Sequence, residues 1–379
     1  MSQSLKGVRV LDLSRLLPGP FASMILADLG AQVDKLEDPK GGDYLRVMPP
    51  RAESGMSAVF HDLNRGKRSL VLDLKKDEGR GALLQLTEGY DVLLESFRPG
   101  VMDRLGVGYD TLKQANPGLV YCAISGYGQN GPARDRAGHD LNYLARAGVL
   151  GFTGPAGGPP QPPGVQLADI GGGGLYAVIG ILAALQERAR TGKGRFVDIA
   201  MCEGALTFAL FGFGGRLGVP DPGRGNDVLT GGIAPYRTYV TKDGHAMALA
   251  ALEPKFWITF CNAAGIKADL SALSPGSHQA ALQQNLTELF ASKTRAEWIT
   301  FADEHDCCLE PVLTPDETMA DEHHAVRGVF TKDAGFLRTR TPVAPASDGP
   351  APTQGEHSEE ILREAGIDVQ ALRDAGATR

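Results

Sequence analysis

Val8-Arg9-Val10-Leu11-Asp12-Leu13, then Ser14-Arg15-Leu16-Leu17-Pro18-Gly19-Pro20, then the helically spaced run Phe21–Leu29 closed by Gly30, decide the fold. A short β-branched run, a turn and an apolar helical segment lead into a second strand, Gln32–Glu37, which ends on the acidic pair Glu37-Asp38. The same rhythm continues outward. Ser69–Leu72 reads as a third strand and Glu78–Thr87 as a helix, with further strands at Val92–Leu94 and Leu119–Ile124. Strands alternating with helices predict a mostly parallel sheet covered by helices, an α/β fold.

An acid after the second strand invites a dinucleotide-binding reading, but the first turn is wrong for it. It has no G-x-G-x-x-G, and two prolines stand where backbone N–H groups would face a pyrophosphate. Neither a P-loop nor a G-x-S-x-G elbow occurs. After Ile124, Gly126–Gly131 and Gly151–Gly164 are Gly/Pro-dense loops flanking a helix candidate, Asp140–Val149. Gly171–Gly174 open a long, largely apolar helix, Ile170–Arg190. A strand, Arg195–Ile199, and an apolar helix, Cys202–Phe213, follow.

Pro220–Gly225 reads as a linker to a smaller lobe. That lobe holds strands Tyr236–Val240 and Ala246–Ala250 and helices Pro254–Ala263, Ala280–Phe290 and Ala296–Glu304. Thr341–Gln354 is a Pro-rich connector to a closing helix, Ser358–Ala365, with a partial capping box at Ser358. The expected division is 1–219 as a large domain, 220–327 as a small one, and 328–379 as a segment returning to the large domain.

Glycine stands out in the composition: 49 of 379 residues, about 13 %, against roughly 7 % in ordinary proteins. With 42 % hydrophobic residues the chain still has material for a sizeable core, so the glycine does not signal disorder. The net charge of −7 and the lack of a long Lys/Arg run argue against a nucleic-acid partner. They leave room for a small anionic ligand on a local basic patch. No stretch reaches the roughly 18 consecutive apolar residues of a membrane span, and the first residues lack an apolar signal core, so no membrane association is expected. Five cysteines, with Cys307 and Cys308 adjacent, make no disulfide framework or zinc spacing. Reduced thiols fit a cytoplasmic location.

The chemistry concentrates in three places. Gly138-His139-Asp140 sets a histidine at a loop–helix junction, and a histidine titrates near neutrality, as proton transfer at carbon requires. The competing reading is a surface or helix-capping histidine. Asp169 precedes Gly171, Gly172, Gly173 and Gly174 at a helix start. It is either a plain N-cap or the edge of a site where bare backbone N–H groups, Gly171 and Gly172 included, approach a ligand. Glu253 follows a strand and precedes Pro254, placed to orient another side chain unless it is simply exposed. Arg65, Lys67, Arg68, Lys75, Lys76 and Arg98 are either solvated surface or a patch for a phosphorylated ligand.

The chain resembles the class III CoA-transferase superfamily over nearly its whole length, and within it the α-methylacyl-CoA racemases. The resemblance begins at Leu5-Lys6-Gly7-Val8-Arg9-Val10-Leu11-Asp12-Leu13, Pro18-Gly19-Pro20 and Asp28-Leu29-Gly30-Ala31. It runs on through Leu63-Asn64-Arg65-Gly66-Lys67-Arg68-Ser69, Leu72-Asp73-Leu74-Lys75 and Phe97-Arg98-Pro99-Gly100-Val101. Gly126-Tyr127-Gly128-Gln129, Gly131-Pro132, Gly180-Ile181-Leu182-Ala183-Ala184-Leu185 and Gly192-Lys193-Gly194 complete it. Racemases of this group carry Gly-His-Asp where transferases more often have Tyr, and that position here is His139. Departures are Val165, where racemases usually have Asn, and Lys255 and Trp257 after Glu253-Pro254.

The resemblance implies a Rossmann-like large domain, a smaller α+β domain and an interlocked homodimer. It implies His139 and Asp169 as two proton-transfer residues, with Glu253 orienting the histidine. The expected reaction is epimerisation of 2-methylacyl-CoA by 1,1-proton transfer through an enolate held at the N–H groups of Asp169 and Ile170. Neither a metal nor a separate cofactor is needed, because CoA is part of the substrate. Its nucleotide is expected near Arg65, Lys67, Lys75 and Arg98. The alternative is transfer of CoA to a carboxylic acid, with Asp169 as nucleophile forming an aspartyl-CoA thioester.

Overall fold

A computed structural model of the chain describes residues 4–52, 55–214, 223–333 and 335–379. They form two compact units: 1–147 with 165–208 and 322–379, and 148–164 with 209–321. The boundary expected at 219/220 and the start of the Pro220–Gly225 linker fall outside the described residues.

The first unit is built on six strands: β1 (Arg9–Asp12), β2 (Gln32–Glu37), β3 (Arg68–Val71), β4 (Val92–Glu95), β5 (Val120–Ser125) and β6 (Phe196–Ala200). Every pairing is parallel, in the order 3-2-1-4-5-6. That is the doubly wound order, with its switch point between β1 and β4. Its helices before the chain enters the second unit are α1 (Pro18–Asp28), α2 (Ala58–Asn64), α3 (Asp77–Thr87), α4 (Val101–Arg104), α5 (Tyr109–Ala115) and α6 (Asp140–Arg146). The helix expected to run to Val149 stops at Arg146, because Gly148 takes φ 77° and restarts the chain as α7 (Val149–Phe152) in the second unit.

The chain re-enters the first unit with a π-helical stretch, Leu167–Leu175, continued by α8 (Tyr176–Thr191). Together Leu167–Thr191 is 25 residues long and apolar enough to cross a membrane by length and composition, which corrects the expectation that no stretch reaches that size. Half of its most apolar window is buried, against α1, β5, β6 and the helix α9 (Met201–Thr207). The single helix expected over Cys202–Phe213 is two pieces, α9 and α10 (Leu210–Gly214), with the division between units at Phe208.

The second unit pairs β7 (Tyr236–Val240), β8 (Ala246–Ala250) and a short strand not anticipated from the sequence, β9 (Leu309–Pro311), in an antiparallel sheet. It adds α11 (Pro254–Ala264), α12 (Gln279–Phe290), α13 (Arg295–Glu304) and α14 (Pro315–Ala320). Its core is aromatic: Trp257, Phe260, Phe290, Trp298 and Phe301 are all buried.

From Glu322 the chain belongs to the first unit again, through α15 (Glu322–Val326), the hairpin β10 (Phe330–Asp333) and β11 (Phe336–Thr339), α16 (Ser358–Glu364) and α17 (Val369–Asp374). This return seals the free edge of β3. The His357 N–H donates to Ser69 O, the Thr378 hydroxyl to Val71 O, and the Val71 N–H to Ser358 Oγ. An edge strand left bare would be a template for pairing with another chain. Ser358 therefore serves the edge, not a capping box; the N-cap of α16 is His357.

Candidate active site

The switch-point loops, after β1, β4 and β5, and the start of α6 enclose a cleft of about 710 Å3 in the first unit. His139 and Asp169 both line it, as do Arg15, Arg98, Ser125 and Tyr143.

His139 sits at the N-cap of α6 with extended backbone, φ −127° and ψ 177°, and is exposed to the cleft. Its N–H donates to Asn142 Oδ1 at 3.1 Å, and the Asn142 N–H donates back to His139 O at 2.8 Å. The capping reading of the sequence is thus right. Beneath the histidine lies the buried ring of Tyr143, whose hydroxyl donates to Gly138 O. A Cβ on Gly138 would stand 2.7 Å from that ring, and one on Gly126 2.4 Å. Glycine precedes the histidine because the tyrosine ring fills the space.

Asp169 comes from the π-helical stretch, a geometry that recurs at functional sites because the widened turn re-aims side chains. Its place is set by Asp140, the first residue of α6. Asp140 Oδ1 accepts the N–H groups of both Ala168, at 2.7 Å, and Asp169, at 2.9 Å. This carboxylate joins the segments that carry His139 and Asp169, and sequence reasoning passed over it. The signal was an acid at helix position N1, indistinguishable there from an ordinary helix-dipole partner.

Burial pushes the Asp169 carboxyl up to about 6; the Asp140 charge adds to the rise and His139 opposes it. The carboxyl therefore titrates where an unperturbed imidazole does. A carboxyl raised to that range can serve as acid or as base near neutral pH.

Two expectations are corrected here. The Asp169 N–H is taken by Asp140, and the Ile170 N–H donates to Gln166 O at 3.0 Å, so neither is open to an enolate oxygen. Nor do Gly171 and Gly172 meet a ligand. A Cβ on Gly171 would stand 2.8 Å from the Phe208 ring, and one on Gly172 2.5 Å from Met201 O and 2.7 Å from Ala205 N. All four glycines, Gly171–Gly174, are buried. Gly172 lets the π-helical stretch pack backbone to backbone with α9, where a Cβ on Gly204 would in turn meet Gly172 O at 2.2 Å, and Gly174 lets it pack on Pro18 and Phe21 of α1.

The basic residues divide. Arg65 is fully buried, with ion pairs to Asp28 at 2.7 Å and Asp62 at 2.6 Å. Lys67 is buried among Asp12, Ser23 Oγ, Asn64 Oδ1 and Pro20 O, and burial lowers its pKa to about 7. Neither lines a cavity described here; both hold α1 and α2 to the sheet, which corrects their reading as ligand-binding residues. Arg98 is exposed on the large cleft. Lys75 is exposed on an adjoining cavity of about 350 Å3 at the ends of β1, β2 and β3. Arg15, Tyr44 and Phe97 line both cavities. Glu253 belongs to the second unit, exposed at the N-cap of α11 with Pro254 next.

A doubly wound parallel sheet whose switch-point cleft carries a His/Asp pair, and whose α1 turn lacks a glycine fingerprint, defines a narrow class of α/β enzyme. The family model of CoA-transferase family III matches residues 5–358, and the chain belongs to that family. Alpha-methylacyl-CoA racemase of Homo sapiens is 40 % identical over 97 % of this chain and 95 % of that protein. An acyl-CoA transferase of Fusarium pseudograminearum is 34 % identical over 97 % of this chain and 86 % of that one. Among solved structures, a CAIB/BAIF family protein from Brucella suis superimposes with a TM-score of 0.84 at 32 % identity, covering 96 % of this chain and all of that one.

Proposed function

We propose that the protein epimerises 2-methylacyl-CoA thioesters by 1,1-proton transfer. The observation that carries this reading is His139 and Asp169 on one cleft, with the Asp169 carboxyl raised to about 6. The identity to the human racemase supports it. His139 takes the α-proton from one face of the substrate, and the electron pair of the C–H bond passes into the thioester carbonyl to give an enolate. Protonated Asp169 returns a proton to the opposite face, and the reverse reaction exchanges the roles. Two groups on opposite faces are what inversion at carbon requires. The enolate oxygen takes its hydrogen bonds from donors other than the Asp169 and Ile170 amides, because those are occupied.

The nucleotide of CoA is assigned to the smaller cavity, near Lys75, and the thioester end to the larger, near Arg98. Glu253 is kept, on the family resemblance alone, as the carboxylate that holds the tautomer of His139. We assign the protein to fatty-acid metabolism in the cytoplasm, working without metal or separate cofactor. A homodimer is supported by the large apolar side chains that the first unit leaves exposed, among them Leu141, Leu175, Ile179, Leu206 and Phe208.

The second reading, CoA transfer through an Asp169 thioester, is favoured by the similarity to the fungal transferase. One experiment separates them: a single epimer of 2-methylacyl-CoA in D2O without any acid acceptor. Deuterium at the α-carbon with epimerisation, lost in His139→Ala, supports the racemase. No exchange, but CoA transfer once a carboxylic acid is added, refutes it.

A further inference from the structure

Arg15 stands at the one place where the two cavities meet the turn after β1, and no feature of the proton-transfer chemistry uses it. Its guanidinium lies between two rings, 5.4 Å from the centroid of Tyr44 and 5.1 Å from that of Phe97, and Nη1 donates to the Tyr44 hydroxyl at 3.4 Å. Among the described residues no carboxylate pairs with it. Arg46, Arg65 and Arg68 of the same unit are, by contrast, each held by a carboxylate. A planar cation stacked between aromatic faces and left without an anion keeps its donor edge open for one.

The turn is also held rigidly. The Arg15 N–H donates to Ser96 Oγ at 3.2 Å, and the buried Lys35 ammonium donates to Ser14 O at 2.8 Å. The Leu16 N–H donates to Asp43 Oδ1 at 3.1 Å. Leu16 itself sits at φ 63°, a left-handed conformation that costs a leucine energy and persists only where the surroundings impose it. Anchors on three different elements thus fix a strained turn whose product is the placement of Arg15.

We propose that Arg15 is the diphosphate-binding residue of this site, clamping the two linked phosphates of CoA where the chain passes from the smaller cavity to the larger. This rests on the acyl-CoA reading above. The charges agree with it. The smaller cavity carries Asp38 and Asp73, which suit the hydroxyl and amino donors of a nucleoside, and Lys75, a partner for the phosphate on its ribose. The larger one leads to the His139/Asp169 pair. The diphosphate belongs between them, where the free guanidinium is.

The test compares full-length wild type, Arg15→Gln and Arg15→Lys by calorimetric titration with CoA, with pantetheine, which lacks the diphosphate, and with inorganic pyrophosphate as competitor. Arg15→Gln is expected to weaken CoA about 10- to 100-fold, the range of hydrogen bonds to a charged group, and to leave pantetheine within twofold. Pyrophosphate should displace CoA from wild type but not from that variant. Arg15→Lys should recover only part of the loss, because it keeps the charge without the planar fork. Turnover of a 2-methylacyl-pantetheine should be unchanged in all three proteins. Equal losses for CoA and pantetheine, or no loss for either, overturn the assignment of Arg15. Wild type that binds no CoA refutes the acyl-CoA reading itself.

Discussion

Asp140→Asn separates the two things Asp140 does for Asp169. An asparagine oxygen still accepts the N–H groups of Ala168 and Asp169, so the geometry is kept, while the neighbouring negative charge is gone. Asp169 is raised from 3.8 to about 6, roughly 3 kcal/mol against the ionised form. Burial is the largest cause and Asp140 the second, so removing the charge should lower the pKa by part of that displacement, with burial holding it above 3.8. For the epimer whose α-proton Asp169 removes, the rate follows the ionised fraction and falls as pH drops through that pKa. At pH 5 wild type should retain about a tenth of its plateau kcat/KM, whereas an aspartate at 3.8 would retain over ~90 %. In Asp140→Asn the retained share should rise above a tenth while staying below the ~90 % of an unshifted aspartate, with the plateau little changed. The assay is α-deuterium incorporation from each pure epimer between pH 4.5 and 8. A limb that does not move, or moves upward, refutes the electrostatic role of Asp140; a wild-type rate flat down to pH 5 refutes the raised pKa of Asp169.

Asp169→Asn should leave one-sided chemistry: α-deuteration without inversion for the epimer that His139 serves, and epimerisation lowered about 10²- to 10⁴-fold. Equal epimerisation in that variant would exclude a two-group mechanism. Gly172→Ala places a methyl 2.5 Å from Met201 O and 2.7 Å from Ala205 N. It should destabilise the protein by about 1–3 kcal/mol in urea unfolding; an unchanged midpoint with a raised KM would restore the ligand-contact reading of that glycine. Arg65→Met strands the buried carboxylate of Asp28 and should cost about 3–5 kcal/mol of stability. Lys75→Ala, at an exposed site, should instead raise KM for acyl-CoA with the unfolding midpoint in place. The reverse pattern for this pair would show that burial misassigns them.

Much of both units was legible because period and punctuation agree there. Gln32–Glu37, Tyr236–Val240 and Ala246–Ala250 are strands at the limits the sequence suggests, and α3, α11, α12 and α13 differ from expectation by one residue at an end. What escaped has physical reasons. Leu309–Pro311 is three residues long and takes its strand character from pairing with β8, not from its own composition. Arg65 and Lys67 look like exposed basic residues in one dimension. Their partners Asp28 and Asp12 lie 37 and 55 residues away, and only folding brings them together. The Gly171–Gly174 run was read as an approach of ligand to backbone, and a packed helix makes the same demand on a glycine. Nothing local says that the approaching atoms are those of Met201 and Ala205.

The turn after β1 shows why a sheet of this order need not bind nucleotides through backbone amides. In a glycine-rich version, the N–H groups at the start of the first helix face the diphosphate. Here α1 begins Pro18-Gly19-Pro20, so two of its first three positions have no N–H to offer. The next, Phe21, already donates to Leu17 O at 3.0 Å. A Cβ on Gly19 would collide with the Ser14 side chain at 2.1 Å, so this glycine serves the packing of the turn on itself. Prolines at these positions still start the helix well, since their fixed φ suits it and the missing donors would have been unpaired. A helix end so depleted of donors holds an anion poorly, and recognition of phosphate has to pass to side chains. The cations that remain on the cleft are Arg15, Arg98, Arg134 and Arg136. Arg15 alone among them also borders the smaller cavity, so the loss of the amide cradle and the stacking of one arginine are two sides of the same local sequence.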